Sequence, residues 1–130
     1  MSNEAYTESP KGMGVYVMAR VGRLAPPHAL YEIADIDSIS WHTVNILAPT
    51  VITAEGDLVV ADCILDTEQT TTDVPEWFFD DGFNFNAEIP GDAFPSGGIT
   101  YRLIITITPT GESAILLEKT HKTTKFYPTT

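Results

Sequence analysis

Six carboxylates crowd one stretch of the chain: Asp66, Glu68, Asp73, Glu76, Asp80 and Asp81. Calcium takes roughly six to eight oxygen ligands, so oxygen-rich loops of this kind can suit it. The ordered D-x-D-x-D-G spacing of an EF-hand is missing, however, so a solvated acidic loop is expected and no metal ligands are assigned. Trp77, Phe78 and Phe79 lie within the same stretch, just before Asp80-Asp81-Gly82. Three roles are open to these rings: lid-like packing over a core edge, a protein interface, or a stacking platform for a sugar. In the last, Asp80, Asp81 or Asn84 would bond hydroxyls.

Other reactive types are scattered. His28, His42 and His121 fall in different segments and lack the short-spaced partners of a zinc motif. Cys63 stands in an apolar run, which suits packing rather than nucleophilic attack. The glycines of "PSGGITY" precede a strand-like run and no lysine follows, so they read as turn residues and not a phosphate loop. Nothing resembles a nucleophile elbow. The expectation is a protein that is not an enzyme and carries no cofactor.

The elements that must hold these residues are short. Val, Ile and Thr recur in brief runs split by Gly, Pro, Asn and Asp, an all-β signature. "VYVMARV" (15–21) alternates. "IDSISWHTVNIL" (36–47) places Ile39, Trp41 and Thr43 on one side. "LVVADCIL" (58–65) is apolar on both faces and reads as a central strand, or as a strand whose outer face meets a partner. "FNFNAEI" (83–89) sets Phe83, Phe85, Ala87 and Ile89 against Asn84, Asn86 and Glu88. "ITYRLIITIT" (99–108) and "SAILLEK" (113–119) flank the turn "PTGE". A seventh strand is expected near "ALYEIA", and "APTVITAEGD" reads as turn-rich. Tyr101 and Phe85 are predicted core residues. The whole predicts one sandwich domain over 14–119, with polar arms at 1–13 and 120–130.

The chain has 130 residues, 43% of them hydrophobic, enough for one core. With 18 acids against 7 bases the net charge is −11. Counterion release on nucleic acid needs clustered bases. Here the nearest thing is His121, Lys122 and Lys125, so no direct nucleic-acid contact is expected. One cysteine excludes an internal disulfide. No apolar run approaches the roughly 18 residues of a membrane span. The start "MSNEAYTESPKG" lacks a signal-peptide pattern, which predicts synthesis in a cytoplasm.

The segment "FNFNAEIPGDAFPSGGITYRLIITITPTGESAILL" (83–117) resembles the last three strands of an immunoglobulin-like or fibronectin-type sandwich, with Tyr101 where a tyrosine corner would stand. Trp41 would be the core tryptophan, and the cysteines of antibody domains are absent. More broadly, "MARV", "ADIDSISWHTV", "LVVADCILDT", "DGFNFNAEIPGDAFPSGGITYR" and "TPTGESAILL" together resemble small acidic proteins encoded among the head and tail genes of tailed bacteriophages. That resemblance implies a virion component, made in the host cytoplasm, that decorates a capsid or joins head to tail. It supplies no site residues. The partners it implies are other virion proteins and further copies of the chain, with no membrane and no small-molecule ligand. The alternative is a carbohydrate- or other ligand-binding sandwich, or simply a cytoplasmic protein. Candidate interface residues are Tyr6, Leu58, Val60, Ile64, Trp77, Phe78, Phe79, Phe126 and Tyr127.

Overall fold

Strand alternation builds two facing apolar surfaces. Val15, Val17 and Ala19 are buried along β2 (Val15–Ala19), and Phe85, Ala87 and Ile89 along β6 (Phe83–Ile89). From the opposite side come Ile39 and Trp41 of β3 (Ile36–Asn45) and Tyr101, Leu103, Ile105 and Ile107 of β7 (Thr100–Pro109). These side chains meet in one apolar cluster, the expected outcome when period-two patterns face each other across a sandwich. The computed structural model describes residues 5–10, 14–23, 29–69 and 83–124, and for 5–10, 66–69, 83 and 124 it describes the backbone alone.

The remaining elements are β1 (Ala5–Pro10), β4 (Ile52–Leu58), a single helical turn α1 (Val60–Cys63), β5 (Ile64–Gln69) and β8 (Ile115–Thr124). One sheet has the order β1-β8-β7-β3-β4 and the other β2-β6-β5. All pairings are antiparallel except β1 with β8. β3 and β4, β5 and β6, and β7 and β8 are successive strands paired within a sheet, while the chain crosses between sheets after β1, β2, β4 and β6. That is an immunoglobulin-like arrangement. Tyr101 behaves as a tyrosine corner, its hydroxyl accepting a hydrogen bond from Ser96 N at 3.1 Å. Leu103, two residues on, is fully buried.

Four expectations need correction. "LVVADCIL" is not one strand: β4 ends at Leu58, α1 intervenes, and β5 begins at Ile64. The chain is crossing between sheets there, and Asp62 N bonds Val59 O at 3.0 Å to close the turn. The crossing breaks strand parity, so Val59 is exposed while Cys63 and Ile64 plug the core. "ITAEGDL", within the stretch read as turn-rich, is strand β4. "ALYEIA" forms no strand, only a bridge from Leu30 to Gly22 and a 3-10 turn at Ile33–Asp35.

The fourth correction concerns the arms. β8 runs to Thr124, with His121 and Thr123 fully buried, so residues 120–124 complete the sheet. Thr123 Oγ1 sits against Ser96 O at 2.5 Å and Ile99 O at 3.0 Å. β1 lies alongside β8 in parallel register, from Ala5 opposite Lys119 to Pro10 opposite Thr124. Residues 5–10 and 120–124 therefore add to the large sheet of their own sandwich.

Asn84 is a further departure. It falls on the polar side of the β6 alternation, yet it is only 1% exposed. Its Nδ2 donates to Val21 O and Tyr31 O, both at 2.9 Å, and its Oδ1 accepts from Val21 N at 2.7 Å. The amide ties the paired segments 21–23 and 29–31 to the small sheet and supplies the hydrogen-bond partner of Val21 N and Tyr31 O. Nearby, Arg23 stacks on Tyr31 and pairs with Asp35 and Glu112. The Tyr31 hydroxyl donates to Glu112 at 2.9 Å.

Candidate functional site: the open edge of the large sheet

β4 ends the five-stranded sheet, hydrogen-bonded to β3 on one side. Its inward residues Ala54, Gly56 and Leu58 are half-buried, and its outward residues Thr53, Glu55 and Asp57 are exposed. Gly56 lies opposite Trp41, and a Cβ there would come within 2.9 Å of the indole ring. A glycine at this register lets the ring pack flat against the edge backbone.

Two clefts run along this edge and share Asp57. One, of about 450 Å³, is lined by Ser40, Trp41, His42, Glu55, Gly56 and Asp57. Here Ser40 lies opposite Asp57 and His42 opposite Glu55. The other, of about 500 Å³, lies where the chain leaves β4, with Leu58, Val59, Asp62 and Cys63 on one side and Tyr16, Asn86 and Glu88 on the other. Among the described residues, neither cleft is lined by a lysine or arginine. Tyr16 lies opposite Glu88 across β2 and β6, and that carboxylate, hydrogen-bonded and negatively charged beside it, raises the phenol above its ordinary value. Asn86 Oδ1 is buried without a hydrogen-bond partner.

At one end of the edge the β3–β4 turn carries Ile46, Leu47, Val51 and Ile52, with Leu47 88% exposed, Val51 61% and Ile52 53%. The turn is built firmly. Leu47 N donates to Asn45 Oδ1 at 2.9 Å, Ala48 N to Asn45 O at 2.8 Å and Val51 N to Ala48 O at 3.1 Å. Ile46 N is held by Thr100 O at 3.1 Å. The apolar tip is thus presented on a fixed backbone, at the end of the sheet where β8 finishes.

Burial, with help from the Asp62 carboxylate, pushes the Cys63 thiol up to about 11, so it stays protonated at neutral pH. Among the described residues no hydrogen bond joins Ser40, His42 and Glu55 into a relay, and no group of histidine, cysteine and carboxylate side chains could hold a metal ion. No described helix is long and apolar enough to cross a membrane.

Of the candidate interface residues, Leu58 lines a cleft, and both Leu58 and Val60 pack half-buried against the core. Ile64 is 1% exposed and belongs to the core, a correction that follows from the sheet crossing. Tyr6 lies in β1, described as backbone. Trp77, Phe78, Phe79, Phe126 and Tyr127 lie outside the described residues, as does most of the acidic loop. Asn84 spends its hydrogen bonds inside the fold and is unavailable to a sugar. The hairpin tip escaped the sequence reading because Ile46 and Leu47 look like the end of a buried strand. The signal was an apolar run continuing through Pro49 into Val51-Ile52, where a turn is normally polar. No known protein family, curated protein or solved structure matches this chain.

Proposed function

We propose that this chain is a non-enzymatic interaction module: an immunoglobulin-like sandwich that docks to another protein through the β3–β4 tip and the neighbouring β4 edge. The observation that carries the reading is the firmly hydrogen-bonded turn displaying Ile46, Leu47, Val51 and Ile52 to solvent. Clustered exposed apolar side chains of this kind mark interaction sites when a polar rim surrounds them. Glu55 and Asp57 continue the exposed surface along β4 as polar residues. The biological setting we propose is the virion of a tailed bacteriophage, as a capsid decoration or a head–tail neck component. It rests on the segment resemblance alone. Mass spectrometry of purified particles tests the setting, with this chain expected at stoichiometric abundance. Its absence from particles would remove the virion reading. Leu47→Asp should keep the fold and lose incorporation, and normal incorporation of that variant would contradict docking through the tip.

A further inference from the structure

The docking reading above leaves open what meets the edge strand itself. An unpaired edge presents alternate N–H and C=O groups, a template onto which an extended segment can add as a further strand. Of the other edges, β1 is likewise paired on one side only, with six residues against β8, but it is the edge remote from the apolar tip and the clefts. The two edges of the small sheet are less open. On β2, the Tyr16 carbonyl already accepts from Lys119 Nζ at 3.0 Å. On β5, only Ile64 and Gln69 are in register with β6. β4 offers seven residues paired on one side only among the described residues.

We propose that β4 is a strand-addition site for an extended, basic segment of a partner protein, with lysine or arginine at alternate positions. The alternation follows from β4 itself. An added strand would set its outward side chains beside Thr53, Glu55 and Asp57, and its inward ones over Ala54, Gly56 and Leu58. Outward lysines or arginines would face Glu55 and Asp57, in clefts that no basic residue lines among the described residues. Asp57 also lines the cleft of Asp62, Glu88 and Tyr16, where two further carboxylates and an exposed ring would receive a cation carried past it. Inward positions are small or apolar, because Ala54 and Gly56 leave little bulk on the β4 side. At the other end Val51 and Leu47 supply an apolar anchor.

Charge decides between occupants. A second copy pairing β4 antiparallel over its full length, Ile52 opposite Leu58, would bring Glu55 against Glu55, which is destabilising. An anionic membrane surface would be repelled by the same carboxylates and by the net charge of −11. A basic strand is favoured on both counts, and the acidic field would speed its encounter.

The test uses the full chain, labelled for amide hydrogen exchange, and a seven-residue peptide alternating lysine with valine, matched to the length of β4. Amides of Ile52–Leu58 should gain protection in its presence, and the gain should shrink as salt is raised. The glutamate analogue of the peptide should leave them unchanged. A version N-methylated on its edge-facing amides should bind at least about tenfold more weakly, since it cannot complete the ladder. Glu55→Lys with Asp57→Lys should reverse the preference between the two peptides. Protection elsewhere, no protection, or undiminished binding of the N-methylated peptide would overturn the proposal. So would normal particle incorporation by the doubly reversed variant, a result that leaves docking through the hairpin tip standing.

Discussion

Replacing Asn84 by alanine should be among the most damaging changes in the molecule that touch no large apolar group. The substitution removes the hydrogen bonds to Val21 N, Val21 O and Tyr31 O. Val21 O keeps Tyr31 N at 3.1 Å, so it is not orphaned. Val21 N–H and Tyr31 C=O do lose their partner in a buried setting. At about 1–3 kcal/mol for each unsatisfied group, the loss centres near 4 kcal/mol. Urea titration followed by tryptophan fluorescence should show a lower midpoint at an unchanged slope. Asn84→Asp should fare no better, since it keeps an acceptor for Val21 N but turns acceptors toward both carbonyls and brings a charge inside. A loss below about 1 kcal/mol for the alanine variant would refute the view that this amide closes the 21–31 crossing.

Tyr101→Phe deletes the hydroxyl that Ser96 N donates to, and should cost about 1 kcal/mol by chemical denaturation, because water can partly replace it at exposed Ser96. His121 is buried against Phe94, and burial first, then the Lys119 charge, hold its pKa below 6.5. The unfolded chain therefore takes up a proton that the folded chain resists, so stability should fall as pH drops through 6.5 toward the depressed folded value. Urea midpoints should show that slope in the native protein and a flatter one in His121→Gln; equal slopes would count against it. Cys63, its thiol raised to about 11, should react with a disulfide reagent at pH 8 at least about a hundredfold more slowly when folded than when unfolded. Comparable rates would mean that the thiol is accessible.

Where one face meets the core, parity was legible in the sequence. β2, β6 and β7 lie where alternation places them, and Tyr101 and Phe85 are core residues as predicted. What was hidden has definite causes. β8 continues past Lys119 with inward residues Lys119, His121 and Thr123, so its apolar pattern stops before the strand does. β1 is an edge strand held by backbone pairing to β8, and backbone pairing leaves no apolar signature. β4 carries Glu-Gly-Asp at its centre, which is turn chemistry in isolation and here marks an exposed edge with a glycine under Trp41. The run 58–65 misled because its apolar residues serve a sheet crossing, where period two no longer holds. The candidate site suffered most, since hydrophobic pattern reports what lies inside, and the tip at 46–52 is apolar and outside.

The docking account is tested most directly by comparing amide exchange of the chain alone with that of the chain in the assembly isolated from cells that produce it. The account predicts new protection concentrated at Ile46–Leu58, the tip and the β4 edge together. Unchanged exchange across that stretch, with protection arising on β1, β2 or β5 instead, would contradict it.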